Sequence, residues 1–227
     1  MSILLEMKNI SKTIKGQQIY RNVSYQFKNG CYGVLGPNGI GKTILLEMLA
    51  GITAPDSGSI CLANIGMTDS IEYKKNLVYV PSNTPFFPSV TGAEFLSFIL
   101  SVKSDTHNED TQLKYLIDGF KLKSHLNTRF NNMSLGTQKK LFLATLAIGN
   151  NKLILLDEPS NGLDNESHQL LCKTLLDISR DAIIIFATHD PLLLNKLSPT
   201  IIRLSEIPTQ FFDVSNTQRS DQIEISM

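Results

Sequence analysis

Apolar and polar residues alternate along the first part of the chain, as they do in strands that bury one face. Residues 3–14 and 18–27 show this alternation on either side of Lys15 and Gly16. The pattern predicts two antiparallel strands joined by a tight turn. Further short strands are predicted at residues 31–35, 59–62 and 77–80.

The pattern becomes helical from about Pro85, where apolar residues begin to recur at spacings of three and four. This spacing predicts helices at residues 92–102, 109–120 and 135–148. Apolar strands return at residues 152–156, 182–187 and 200–204. Two of these runs are too uniformly apolar for a strand with one face in water. We therefore expect a central, mostly parallel sheet that is covered on both faces.

Composition limits the partners and the compartment. Lysine plus arginine and aspartate plus glutamate both number 21, so no global field favours nucleic acid, and no nucleic-acid partner is expected. Cys31, Cys61 and Cys172 lack C-x-x-C spacing, which suggests a reducing compartment and neither a disulfide framework nor a zinc site. The N-terminal residues do not resemble a signal peptide, and no apolar run approaches the roughly 18 residues of a membrane span. We expect any membrane role to depend on a partner.

One stretch fits the phosphate-binding loop pattern G-x-x-x-x-G-K-[ST] at every fixed position. It consists of Gly36, Pro37, Asn38, Gly39, Ile40, Gly41, Lys42 and Thr43. Glycines let successive amides turn inward around an anion, and the following helix start favours negative charge. Lys42 would supply a cation for the outer phosphates, and Thr43 a hydroxyl for Mg²⁺. An ordinary Gly-rich turn is the alternative, but the strand predicted before the loop and the helix predicted after it favour a nucleoside triphosphate site.

A second chemical site follows a buried strand, where residues 153–156 run directly into Asp157 and Glu158. In nucleotide hydrolases, an acid at such a strand end reaches the Mg²⁺ beside the phosphate loop, and the next acid can polarise the attacking water. These roles would fall to Asp157 and Glu158 respectively. A solvated strand end whose acids begin a turn is the alternative, and the phosphate loop elsewhere in the chain argues against it.

Three further segments resemble motifs of the ATP-binding cassette (ABC) ATPases. Residues 132–140, Asn-Met-Ser-Leu-Gly-Thr-Gln-Lys-Lys, resemble the signature segment, residues 160–164 the D-loop, and residues 188–190 the switch histidine. Together with the loop and the acids, they follow the family's order over about residues 3–205. The resemblance implies an α/β fold with a RecA-like P-loop core, an N-terminal antiparallel β layer and an inserted helical subdomain. The expected limits are 1–89 and 151–207 for the core with its β layer, 90–150 for the subdomain and 208–227 for a polar tail.

The resemblance also implies roles and cofactors, namely ATP and Mg²⁺. Lys42 would bind the β and γ phosphates, and His189 would contact the γ-phosphate. The signature residues would form an anion site at a helix start that closes over the nucleotide of a second subunit. This implies a head-to-tail homodimer or heterodimer of ATPase subunits. The residues expected at that interface are Ser134, Leu135, Gly136, Thr137 and the D-loop residue Asp164.

The chain departs from the family at three positions, Ile14, Ser82 and Ile40. Ile14 stands where an aromatic residue commonly stacks on adenine, which leaves only dispersive contact with the base unless another aromatic such as Tyr20 reaches it. Ser82 stands where the family has the glutamine of its Q-loop, so it could approach Mg²⁺ only through a bridging water. The bulky Ile40 is expected to point away from the phosphates.

The remaining charged candidates have structural interpretations. Lys139 and Lys140 are expected to form a solvated helix face. His107, His125 and His168 lie in polar or irregular surroundings and are expected to have structural roles.

The function indicated by the sequence is that of an ATP-binding and ATP-hydrolysing subunit of an ABC transporter. A separate transmembrane permease subunit would hold it in the cytoplasm at the inner face of the cell membrane. The Ser-Leu-Gly-Thr signature is similar to those of drug and peptide exporters, which favours export. Soluble ABC proteins that act on ribosomes or DNA usually carry two cassettes, a long coiled-coil insertion or zinc motifs, and none of these occurs in the sequence. A regulatory nucleotide sensor with weak hydrolysis is the other alternative, and Ser82 and Ile14 favour it.

Overall fold

The structure is a computed structural model that describes residues 4–83, 88–103, 110–205 and 222–226, without the side chains of residues 110, 205 and 222–226. The predictions that concern Ile3, Pro85, His107, Glu109 and the tail residues 208–221 lie outside the described residues.

Strands and helices alternate along most of the described chain. The strands β1 to β10 are Leu4–Ile14, Gln17–Lys28, Gly30–Leu35, Ser57–Leu62, Gly66–Met67, Leu77–Val80, Leu153–Asp157, Ile183–Ala187, Thr200–Ser205 and Gln222–Ser226. The helices α1 to α7 are Lys42–Leu49, Ile71–Lys75, Gly92–Lys103, Asp110–Gly119, Leu135–Ala144, Asn165–Ile178 and Pro191–Leu197. Short 3₁₀ turns occupy Lys123–His125, Phe130–Asn132 and Thr145–Ala147. None of the helices within the described ranges is long and apolar enough to span a membrane.

An antiparallel sheet forms the N-terminal layer, with the strand order β2-β1-β4-β5. The predicted hairpin is confirmed, and Ile14 pairs with Gln17 across its turn. Lys15 and Gly16 both have positive φ, at 50° and 82°. That conformation matches the right-handed twist of the two strands that the turn joins.

A six-stranded parallel sheet forms the centre, with the order β10-β9-β3-β8-β7-β6. The predicted parallel sheet is thus confirmed. Its edge strand Gln222–Ser226 was not predicted, because the tail carries no continuous apolar run that would mark a buried strand. Since the carboxyl ends of β3, β6, β7 and β8 lie at one edge, the segments that follow these strands meet there.

The strands of the parallel sheet supply two separate cores, because successive side chains point to opposite faces. In β7, Leu153 and Leu155 pack with the antiparallel layer and α1, whereas Ile154 and Leu156 pack with the helical segments. Every residue of β7 and β8 is buried. This two-sided burial explains the uniformly apolar sequence of these strands.

The middle third is helical, as predicted. Phe95 of α3 lies against Phe130 and Phe142, with ring centroids 5.4 and 4.9 Å away. Helix α5 ends earlier than the predicted residue 148, at Ala144, and a 3₁₀ turn follows it. The hydroxyl of Thr145 donates to the Phe142 carbonyl at 2.6 Å, so a side chain competes with the helical hydrogen bonds at this point.

Candidate active site

The phosphate-loop segment between β3 and α1 rests on strand β2. Gly41 precedes α1 with a φ of 113°, and a Cβ added there would lie 2.6 Å from a methyl carbon of Ile19. The hydroxyl of Tyr20, which is fully buried, donates to the Gly41 carbonyl at 2.9 Å. The same carbonyl accepts the helical bond from the Leu45 amide. The loop therefore needs glycine at this position because the strand beneath it leaves no room for a side chain.

Lys42 lies at the mouth of the loop. Its ammonium donates to the carbonyls of Gly36 and Pro37 at 2.7 and 3.0 Å. It is also 3.2 Å from Nε2 of His189, which lies 3.1 Å from Oδ1 of Asn38. Burial lowers the pKa of Lys42, while the carboxylates of Glu158 and Asp157 oppose the shift. The fold thus brings the predicted phosphate lysine to the switch histidine, 147 residues further along the chain.

Thr43 and Asp157 form the candidate magnesium site. The Thr43 hydroxyl donates to Oδ2 of Asp157 at 2.8 Å, although the two residues are 114 positions apart in sequence. Asp157 is only 3% exposed. Mg²⁺ prefers oxygen ligands and is usually held by one or two protein oxygens together with water and substrate phosphates. A hydroxyl and a carboxylate side by side, next to a phosphate loop, fit that ion.

Glu158 has a backbone conformation that is unusual for a residue other than glycine. Its φ is 47°, in the left-handed region, and its amide donates to the Ala187 carbonyl at the end of β8. Both the Thr188 hydroxyl and the His189 amide lie 3.4 Å from its Oε2 as donors. The segment after β8 therefore fixes the side chain of Glu158 beside His189, whose Nε2 is 3.8 Å from Oε1.

The phosphate loop, Thr43 and the two acids share a cavity of about 240 Å³. It is lined by Asn38, Gly39, Gly41, Lys42, Thr43, Ile44, Ser82, Asp157 and Glu158. Four predicted nucleotide-binding residues do not line this cavity: Gly36 and Pro37, whose carbonyls accept from Lys42, and Ile40 and Ile14. The Ile40 side chain is buried in the core, as expected, and Ile14 packs against that core at the end of β1.

Tyr20 does not replace the missing aromatic residue. It is fully buried, and its hydroxyl is bonded to the phosphate loop from below. The hypothesis that Tyr20 contacts the base is therefore wrong, because its ring has no exposed face for a nucleotide.

The signature segment begins helix α5. Ser134 caps the helix by accepting from the Thr137 amide at 3.1 Å, and its hydroxyl lies 2.9 Å from that of Thr137. Leu135 is 78% exposed. A Cβ added at Gly136 would lie 2.6 Å from the Gly162 carbonyl, so the signature and the D-loop touch within one chain.

A second cavity, of about 500 Å³, lies in front of the signature segment. It is lined by Ser82, Asn83, Leu135, Gly136, Gln138, Lys139, Asn161 and Gly162. Ser82 borders this cavity as well as the first one. Gly136 and the D-loop residues Asn161 and Gly162 therefore line a different cavity from this chain's own phosphate loop.

Asp164 anchors the D-loop. Its carboxylate caps helix α6 through the Ser167 amide, at 2.9 Å, and forms an ion pair with Lys140. The hydrogen bond from Lys140, followed by that from Ser167, holds the pKa of Asp164 well below its usual range. The D-loop and the signature helix are thus joined by a charge pair as well as by backbone contact.

The prediction that Lys139 and Lys140 form a solvated helix face is wrong. Lys139 is 3% exposed, and its ammonium donates to the carbonyls of Pro81, Ser82 and Asp157. Burial lowers its pKa to about 8, against the opposing effect of Asp157 and Glu158. Helical spacing carried a signal for this burial, because Lys139 precedes the buried Leu143 by four positions and so shares its face.

His168 lies close to the switch segment. Its Nε2 is 2.7 Å from Oδ2 of Asp190, the residue that follows His189. Burial raises the pKa of Asp190, but hydrogen bonds from Ser160 and His168 outweigh this, so the pKa is lowered overall. The expectation of a structural role for His168 stays a prediction.

Comparisons with known proteins agree with this architecture. A sequence profile described as ABC transporter matches residues 20–161, more than half of the chain. The chain is similar to the molybdate/tungstate import ATP-binding protein WtpC of Methanocaldococcus jannaschii, with 31% identity over 188 residues that cover 82% of this chain and 63% of that protein. It is also similar to the Nod factor export ATP-binding protein I of Rhizobium etli, with 29% identity over 82% of this chain and 60% of that protein. The chain thus spans about three fifths of the length of these relatives.

Solved structures show the same fold. The ATP-binding subunit of an ABC transporter superposes with a TM-score of 0.80 at 21% identity, covering 88% of this chain and 85% of that one. A dimeric post-hydrolysis ATP-binding cassette bound to ADP and Pi gives a TM-score of 0.75 at 23% identity, covering 88% and 93%. With the motif order and the geometry described above, these findings show that the chain belongs to the ABC transporter family, as an ATPase cassette that uses ATP and Mg²⁺.

Proposed function

We propose that this chain powers an ABC transporter by hydrolysing ATP while it is bound to a separate transmembrane permease subunit. The observation that carries the proposal is the 2.8 Å contact between Thr43 and Asp157, with Glu158 next in sequence. This contact supports the proposal because it brings the phosphate-loop segment next to the two acids at the carboxyl end of β7, where nucleotide hydrolases hold Mg²⁺ and the attacking water.

Each side chain has a defined part in the reaction. The carboxylate of Glu158 accepts a proton from water as the water oxygen attacks the γ-phosphorus, and the bond to the β–γ bridging oxygen breaks to release ADP. Lys42 neutralises charge on the β and γ phosphates, and His189, 3.2 Å from Lys42, contacts the γ-phosphate. Thr43 and Asp157 would hold Mg²⁺, and the ion would supply positive charge that offsets the charge developing on the phosphates.

A second ATPase subunit completes the site in this proposal. The signature residues Ser134 and Gly136 lie at the start of α5, and Gly136 lines a different cavity from this chain's own phosphate loop. Helix starts bind anions, so these residues fit the γ-phosphate held by a partner subunit. The second subunit is either another copy of this chain or a related cassette, and the assembly lies at the cytoplasmic face of the membrane beneath the permease.

We propose export, of drugs or peptides, as the direction of transport. Support comes from the Ser-Leu-Gly-Thr signature, in which Leu135 projects into solvent. The relatives include both import and export proteins, so they do not distinguish the two directions. Copurification of the untagged chain from its native membrane tests the permease partner, and the identity of that permease then tests the direction.

A nucleotide sensor with weak hydrolysis is the second candidate, and Ser82 favours it. Ser82 lines the cavity beside Asp157 and Glu158, where a serine side chain reaches less far than a glutamine would. A sensor would bind ATP and change its association state without sustained turnover. Steady-state turnover in the presence of the copurified permease separates the two functions.

The first prediction concerns Glu158. Replacing it with glutamine preserves the shape of the site but removes the base, so hydrolysis should fall by about 100-fold or more. ATP affinity, measured by calorimetry, should change by less than about threefold, because the phosphate contacts remain. Glu94→Gln is the matched control, since Glu94 caps helix α3 at Thr91, in the helical segment. Undiminished hydrolysis in Glu158→Gln would remove the general base from the proposal.

A further inference from the structure

The ammonium of Lys139 lies at the carboxyl ends of two neighbouring parallel strands. Strands β6 and β7 pair up to Val80 and Leu156, and the carbonyls that Lys139 contacts lie just beyond this last pair. Lys139 Nζ is 2.6 Å from the Pro81 oxygen, 3.0 Å from the Ser82 oxygen and 3.3 Å from the Asp157 oxygen. A lysine ammonium has three donors, so its hydrogen-bonding capacity is matched by these three acceptors.

Each element that Lys139 joins carries part of the active site. Ser82 borders both cavities, and Asp157 accepts from Thr43 through its side chain. Lys139 itself belongs to α5, the helix that begins at the signature residue Ser134. One ammonium therefore connects the signature helix, the loop after β6 and the strand that ends in the acids.

A buried ammonium is costly unless its hydrogen bonds are made, and here it is 3% exposed. Lys139 holds the loop after β6 through the backbone carbonyls of Pro81 and Ser82. This attachment therefore does not depend on the side chain at position 82. The contact with the Asp157 carbonyl acts on the backbone just before Glu158. A shift of α5 would therefore displace the loop and the acid pair together.

We propose that Lys139 is a positioning residue for ATP hydrolysis, which fastens the loop after β6 and the end of β7 to the signature helix. This inference rests on the proposed ATPase function. In this proposal, the hydrogen bonds from Lys139 to the backbone carbonyls set the distance between Glu158 and the γ-phosphate. Lys139 does not touch the nucleotide, so its loss should slow turnover more than it weakens binding.

The chain offers a matched control at the opposite end of β6. Lys103 also extends from the helical segment, and it donates to the Leu77 carbonyl and to Oδ1 of Asn151. It thus clamps the amino end of the strand, away from the phosphate loop. Lys103→Met and Lys139→Met each remove one ammonium that donates to a backbone carbonyl at an end of β6, but Lys103 is only partly buried and only Lys139 lies beside the acids.

The experiment measures kcat, KM for Mg-ATP and thermal stability for the wild type, Lys139→Met, Lys139→Arg and Lys103→Met. We expect Lys139→Met to lower kcat about tenfold or more with KM changed by less than about threefold, as lost positioning predicts. Arginine retains charge and donors and should restore part of kcat. Lys103→Met should lower stability to a similar extent but keep kcat within about twofold of the wild type.

Two results would overturn the inference: an unchanged kcat in Lys139→Met, or parallel losses of kcat in both methionine variants. If Lys139→Met does not fold, Lys139→Gln decides on the same criteria, because glutamine keeps one amide donor group for the carbonyls. An inactive wild type would overturn the proposed function and this inference with it. If the wild type hydrolyses ATP but replacing Lys139 leaves kcat unchanged, only this inference is overturned.

Discussion

Tyr20 and Tyr73 are two buried tyrosines that support opposite ends of the same helix. Tyr20 donates to the Gly41 carbonyl at the start of α1, and Tyr73 donates to the Leu49 carbonyl at its end, at 2.6 Å. Both rings are fully buried. The two hydrogen bonds are chemically alike, but only the first holds the phosphate loop.

Replacing each tyrosine with phenylalanine separates loop positioning from stability. Each variant should lose about 1 kcal/mol of folding free energy, because one buried hydrogen bond is removed while the ring remains. Tyr20→Phe should in addition weaken ATP binding by about fivefold, which corresponds to roughly 1 kcal/mol of lost preorganisation. Calorimetric titration and denaturant unfolding measure the two effects. Equal ATP affinities in the two variants would show that Tyr20 serves packing alone.

Ser82 provides a second test at the scale of one residue. A glutamine there would extend from a backbone that Lys139 already holds, so its carboxamide could reach the metal and the attacking water directly. We expect Ser82→Gln to raise hydrolysis severalfold to about tenfold, or roughly 1 kcal/mol of better positioning. Asn83→Gln, at the adjacent position, is the control. An unchanged or lower rate in Ser82→Gln would contradict this and would weaken the sensor hypothesis.

The sequence predicted the chemistry at single residues better than the burial of single residues. The phosphate loop and the acids at 157 and 158 could be recognised because their roles depend on residue type and local spacing. The burial of Lys139 was missed although helical spacing carried a signal for it, because the carbonyls that accept from its ammonium lie 58, 57 and 18 positions away. Tyr20 was misjudged for the same reason, since its partner Gly41 belongs to another element.

At the scale of elements, the limits of the strands that were predicted agree with the structure to within about two residues, whereas Gly66–Met67 and Gln222–Ser226 were not predicted. In the central sheet, two-sided burial leaves a continuous apolar run that marks the strand. Strand Leu77–Val80 has the predicted limits, and Leu153–Asp157 is shifted by one residue. Ends that side chains determine were less predictable, as the early end of α5 shows. The contact between the signature helix and the D-loop could not be predicted from the sequence either, because it joins backbone atoms of Gly136 and Gly162.

That contact yields a prediction for Gly136→Ala. The added methyl carbon would lie 2.6 Å from the Gly162 carbonyl, so the D-loop must move away from the signature helix. We expect ATP hydrolysis to fall about tenfold or more, because both segments belong to the proposed closed site. Gly119→Ala is the control: its methyl group would meet only the flexible end of the Leu170 side chain. Normal hydrolysis in Gly136→Ala would mean that the two segments act independently.

At the scale of the whole molecule, the phosphate loop and the signature helix line two different cavities. The phosphate loop and acids line the first cavity, while Ser134 begins the helix beside the second. In the proposed function, two subunits placed head to tail would bring a signature segment to a phosphate loop. We expect such a dimer to bury two nucleotides, each held by residues of both chains.

The last prediction tests this dimer directly. With Mg-ATP, Glu158→Gln should elute from a sizing column at twice the mass of one chain, because it binds ATP but does not hydrolyse it. A second variant adds Ser134→Asp, in which aspartate caps α5 as well as serine does but places a negative charge where the partner's γ-phosphate would lie. The double variant should bind ATP and stay monomeric, since like charges repel across the interface. If Glu158→Gln stays monomeric at high protein concentration while saturated with ATP, or if the double variant dimerises equally well, the signature segment does not contact the nucleotide of a second subunit.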